Sequence, residues 1–96
     1  MEITYVKIVP FNKKDDLKAY AIIILDRSLM IRDIKVIQGH KGYVVRMPYR
    51  TQANGKRFEI VSPITGKARK LLEKRILAEY ERVTGEGVTK GKSKDS

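Results

Sequence analysis

The residues with the clearest chemistry are Arg50, Lys56 and Arg57. They bracket a short polar segment, Thr51-Gln52-Ala53-Asn54-Gly55. Arginine forms bidentate bonds to phosphates and guanine edges, and lysine neutralises phosphate as a point charge. Thr51, Gln52 and Asn54 are donors of the kind that meet a phosphate backbone. Taken singly, each of these three is better explained as a turn former, Asn54-Gly55 above all. A second group follows. Lys67, Lys70 and Lys74 recur at three- and four-residue steps, with Arg69 and Arg75 between and beyond them. If that stretch is helical, the three lysines share one face. Between Lys41 and Arg75 there are ten basic residues against two acids, Glu59 and Glu73, which places +8 of the chain's net +10 there. Charge so concentrated costs self-repulsion that a polyanion would relieve. A nucleic acid is the partner this favours over an anionic membrane face, with DNA and RNA both open, and the candidate contacts are Arg50, Thr51, Lys56, Arg57, Lys67, Lys70 and Lys74.

Other chemistry finds little support. The chain has no cysteine and one histidine, His40, between glycines in a turn. Thiol catalysis and zinc thiolate sites are excluded, and no cofactor or small-molecule substrate is implied. Asp15-Asp16 reads as linker rather than an acid–base pair, and Gly39-His40-Lys41-Gly42 is a turn, not a phosphate loop. The expectation is therefore not an enzyme. Tyr49 can stack on an unpaired base, although packing over the loop explains it more simply. The first residues lack a secretory pattern, and the longest apolar run, Ala19 to Leu25, is too short to span a bilayer, so a cytoplasmic location is expected.

The elements that must position these residues are legible from periodicity. Glu2 to Val9 is β-branched and stops at Pro10, which gives a first strand. Leu17 to Leu25 alternates with period two, putting Leu17, Ala19, Ala21, Ile23 and Leu25 on one face. Asp26-Arg27-Ser28 turns the chain into Leu29–Gln38, where alternation sets Met30, Ile34 and Val36 opposite Leu29, Ile31 and Ile37. Tyr43 to Met47 is a fourth strand, ended by Pro48. The basic segment is expected as a loop, with a short edge strand at Phe58 to Val61. After Pro63 the period changes. Thr65 caps a helix whose stripe is Ala68, Leu72, Ile76, Tyr80 and Val83, widened by Leu71, and Gly85 ends it. Arg69 and Glu73 are placed to pair along it. The fold class is α+β: an antiparallel, hairpin-connected sheet of four to five strands covered by a C-terminal helix. Residues 1–85 form the one domain and 86–96 a disordered basic tail. One sheet face and at least one edge stay uncovered, which suits a homodimer. The helix's apolar stripe is needed for the core, so membrane binding is not expected.

Several strings, in this order and spacing, resemble the family of stage V sporulation protein G, or SpoVG. They are Tyr5-Val6-Lys7-Ile8, Lys18-Ala19-Tyr20-Ala21, Asp33-Ile34-Lys35-Val36-Ile37, Gly42-Tyr43-Val44-Val45-Arg46-Met47-Pro48, Asn54-Gly55, Ser62-Pro63-Ile64 and Ala78-Glu79-Tyr80-Glu81. The resemblance implies a bacterial regulator tied to septation and sporulation, a homodimer, and DNA or RNA contacts from basic residues in the loop after Met-Pro, here Arg50, Lys56 and Arg57. It departs from the family at Tyr49-Arg50-Thr51, where members often carry a small residue and a basic pair, and at Ser62, where many have histidine. The alternative reading is a protein–protein interaction module of cell division that does not touch nucleic acid.

Overall fold

The computed structural model describes residues 1–11 and 15–87. Of the tail expected at residues 86–96, all beyond residue 87 lies outside them, as do residues 12–14 of the polar link. The order is β1 (Ile3–Pro10), β2 (Leu17–Leu25), β3 (Leu29–Gly39), β4 (Gly42–Arg46), β5 (Tyr49–Thr51), β6 (Arg57–Glu59) and α1 (Gly66–Thr84). The first four strands form an antiparallel meander in sequence order, and β5 and β6 pair as a separate ribbon. The fold is α+β, as expected.

Ala19, Ala21 and Ile23 of β2 are fully buried, together with Ile34 and Val36 of β3, and they pack in one cluster with Leu72, Ile76, Leu77 and Tyr80 of α1. The helix comes closest to β1 and β4, and the side chains of β2 and β3 fill the space between. Ile31 joins this core, contrary to simple alternation. Ala21 faces Ile34 and Ile23 faces Ile31, so Arg32 and Asp33 together oppose the single residue Ile22. That bulge re-phases the strand. Asp33 takes the left-handed conformation it requires, at φ 62°, which Asp tolerates better than most residues.

The helix also departs from the expected stripe. Leu71 and Val83 are exposed, and Leu77 is buried in their stead. Leu77 lies one residue beyond Ile76 and three before Tyr80, so the apolar arc widens on that side rather than toward Leu71. Thr65 Oγ1 accepts from the Ala68 amide at 3.0 Å. Gly85, at φ 76°, returns its amide to the Glu81 carbonyl at 2.8 Å. Both ends are thus capped as the sequence indicated. Glu86 follows at once, and its carboxylate accepts from the Tyr43 hydroxyl at 3.0 Å and the Tyr80 hydroxyl at 3.4 Å. Burial, then these hydrogen bonds, push the Tyr43 hydroxyl well above the usual tyrosine range. No helix among the described residues is long and apolar enough to cross a membrane.

Candidate nucleic-acid interface

The segment expected as a loop is mostly ribbon. Tyr49 pairs with Glu59, Arg50 with Phe58 and Thr51 with Arg57. Residues directly opposite share a face and neighbours along a strand alternate. Tyr49, Thr51, Arg57 and Glu59 therefore lie on one side of the ribbon, and Arg50 and Phe58 on the other. The tip is closed by the Gln52 amide on the Lys56 carbonyl at 2.7 Å and the Gly55 amide on the Gln52 carbonyl at 2.9 Å. Asn54 Oδ1 accepts from the Lys56 amide at 3.0 Å. Gly55 at φ 87° supplies the left-handed residue the tip needs.

The ribbon is held at its base through both strands. Glu59 takes two bonds from Arg69, at 2.8 and 3.1 Å, and one from the Ser62 hydroxyl at 2.7 Å. Arg69 is thus committed to Glu59, a partner on the ribbon, rather than to Glu73 along the helix. The guanidinium holds the Glu59 carboxyl below the usual carboxylate range, through its hydrogen bond first. On the facing strand of that base, Tyr49 accepts from Lys35 Nζ at 3.4 Å. The Lys35 ammonium also lies 4.7 Å from the Tyr49 ring centre, and the Arg57 guanidinium 5.1 Å from it. The Lys35 hydrogen bond, then its charge, with help from Arg57 and Arg46, lowers the Tyr49 hydroxyl below its ordinary value.

Lys67, Lys70 and Lys74 are exposed and share one helix face, with Lys70 and Lys74 flanking the edge of the buried arc at Leu77. They sit in the positive half of the helix dipole with no acid in the first turn, an arrangement that favours an anion there. Arg75 is turned elsewhere, donating to the Ile3 carbonyl at 3.2 Å. The seven predicted contacts therefore fall into two groups. Arg50, Thr51, Lys56 and Arg57 ride on the ribbon, and Lys67, Lys70 and Lys74 on the outer helix face. The Glu59–Arg69 bridge joins the two elements.

The model of the family SpoVG matches residues 1–82. The chain belongs to the SpoVG family. It is 41% identical over 87 residues to the "Putative septation protein SpoVG" of Anaeromyxobacter sp. (strain K), covering 91% of this chain and 85% of that one. The protein of the same name from Myxococcus xanthus is 42% identical over 82 residues, 85% and 82% of the two chains. That from Clostridium acetobutylicum is 35% identical over 95 residues, 99% and 100%.

Within this SpoVG domain the site extends beyond the residues picked from the sequence. Tyr20 faces Lys35, and Lys35 faces Arg46, in one row across β2, β3 and β4. Because Ala19, Ala21, Ile34 and Val36 point into the core, this row occupies the sheet face that the helix leaves open. Tyr49 comes down beside it. Neither Lys35 nor Arg46 is among the seven contacts drawn from the sequence. The signal for them was alternation: both occupy outward positions on adjacent strands, next to a Pro48 that turns the chain.

Proposed function

We propose that this chain is a nucleic-acid-binding regulatory protein of the SpoVG type, acting in septation and sporulation control and contacting DNA, and RNA as well, through the ribbon and the outer helix face. The observation that carries the reading is the set of six exposed cations, Arg50, Lys56, Arg57, Lys67, Lys70 and Lys74, on two elements tied by one buttress. Two neighbouring groups, one on a projecting ribbon and one on a helix start, suit a phosphate backbone that runs past both. The link to septation comes from the name carried by the relatives. The experiment is a gel shift with duplex and single-stranded probes, comparing wild type with the Arg50→Ala, Lys56→Ala, Arg57→Ala triple variant. Binding should weaken while the circular dichroism spectrum stays intact. Equal binding by both proteins counts against the reading.

The working unit in this reading is a homodimer. It is supported by an apolar recess of about 230 Å³ lined by Leu25, Ile31, Met47, Val61, Ile64 and Leu72 among others. Ile64 stands 92% exposed at its side. A two-fold pairing would set each copy's Ile64 against the other's recess, a self-complementary contact. Sedimentation of wild type and Ile64→Asp tests it, with a monomeric wild type as the overturning result.

A further inference from the structure

The open sheet face carries a second recess, of about 300 Å³, lined by Tyr20, Asp33, Lys35, Pro48, Tyr49 and Ile60. Its composition differs from that of the cation groups. Two tyrosines, a proline and an isoleucine supply flat surfaces in a lining that is otherwise mostly polar. One ammonium and one carboxylate make the polar edges. The Tyr20 ring is steadied from behind by Phe11, edge-to-face at 5.0 Å and 84°, and the Tyr49 ring by Lys35 and Arg57. Asp33 owes its place to the β3 bulge, a device that re-aims a side chain.

The carboxylate decides what can enter. A phosphate in the recess would meet the Asp33 charge at close range. A nucleobase would not: it is neutral, flat, and suited to aromatic walls. A base with an exocyclic amino group can donate to a carboxylate, as cytosine N4 does to Asp or Glu. Its ring acceptors can take a bond from Lys35. The phosphates on either side would stay outside, where Arg46 shares the row with Lys35 and Arg57 leans on Tyr49. We propose that this recess is a seat for one unpaired, amino-bearing base, so that the protein engages single-stranded segments through the open sheet face as well as phosphates through the ribbon and helix. The proposal rests on the nucleic-acid reading above and adds to it the class of ligand and its orientation: base inward, backbone outward.

The test uses the full chain and two probes. The first is an oligothymidine of about twelve nucleotides, within the range of known single-strand site sizes, carrying one central 2-aminopurine. Seating of that base against the tyrosines should quench its fluorescence on binding, and Tyr49→Ala should weaken single-strand binding by roughly 5- to 150-fold, the span of alanine replacements at base-stacking aromatics. The second is the ratio of oligocytidine to oligothymidine affinity, in which the phosphate contribution cancels. Wild type should favour oligocytidine by roughly five-fold or more, and Asp33→Gly, which takes the same left-handed backbone and carries no acceptor, should bring the ratio close to one. Single strands that bind without quenching, or a ratio that Asp33→Gly leaves unchanged, overturn the base seat and leave the broader reading standing. If neither duplex nor single strand binds wild type, both fall. The quenching arm needs no variant, so a poorly folded Tyr49→Ala would not blunt the test.

Discussion

Whether one duplex touches both cation groups can be read from salt dependence. Each phosphate neutralised on B-DNA contributes about −0.9 to the slope of log affinity against log salt. Arg69 is paired with Glu59 and Arg82 with Glu79, so neither is counted. The remaining exposed cations on the two groups are Arg50, Lys56, Arg57, Lys67, Lys70 and Lys74. If all six meet phosphates, the slope per bound protomer is about −5, and affinity falls by about 1,000-fold between 50 and 200 mM salt. If the duplex lies along only one group, the slope is about −3 and the fall about 60-fold. The perturbation is therefore the triple variant Lys67→Ala, Lys70→Ala, Lys74→Ala, measured by fluorescence anisotropy on a labelled duplex across that salt range. Joint engagement through the Glu59–Arg69 buttress predicts that the slope loses about half its magnitude, and that the ribbon triple variant loses as much. A helix variant with the wild-type slope would show that the outer helix face does not meet DNA. Both variants keeping that slope would refute the phosphate assignment outright.

Three further expectations concern the scaffold. Glu59→Gln removes the ribbon's anchor; since the Arg69 and Glu59 side chains are 38% and 28% exposed, the loss should stay near 1 kcal/mol or below. Because the Glu59 carboxyl titrates lower when folded, its contribution is present above the ordinary glutamate value of about 4.3 and disappears as pH falls through the folded value. The melting-temperature gap between wild type and Glu59→Gln should accordingly be full at neutral pH and close in acid; a gap that widens in acid would contradict the pairing. Ile34→Ala, at a fully buried position, should cost about 2–5 kcal/mol by denaturant titration, and a cost under about 1 kcal/mol would mean the sheet–helix seam is not the core. Thr65→Ala and Gly85→Ala should each cost about 1 kcal/mol, the first by loss of a cap and the second by a β-carbon in the left-handed region, seen as a drop of about 4–8 °C in melting temperature.

The meander and helix were legible because their signals are local. Leu17–Leu25 alternates without interruption, Pro48 and Pro63 punctuate, and Thr65 and Gly85 mark the helix ends. The ribbon was missed at Tyr49–Thr51 because a three-residue strand carries no periodicity, and its pairing with Arg57–Glu59 is set by the tip rather than by pattern. Ile31 was assigned to the wrong face for a different reason. Alternation is read assuming one residue opposite one, and nothing in Arg32-Asp33 announces two opposite one. The cation groups were visible as composition. That Arg69 serves a bridge and Arg75 a backbone carbonyl depends on contacts across 10 and 72 residues, which spacing along a helix cannot foresee. Lys35 and Arg46 are not among the contacts drawn from the sequence because their grouping arises only when Tyr49 is folded beside them.

The doubled residue in the third strand has a consequence for misassembly. A uniformly alternating strand can slide along a neighbour by two positions and still present apolar groups inward. Here sliding would carry Asp33, with its inverted backbone, away from Ile22 and place an ordinary paired residue where the extra one must be absorbed. Only one alignment of the second and third strands satisfies both halves at once. The irregularity works as a keyed joint: it admits the native neighbour and turns away a stray copy of the same strand.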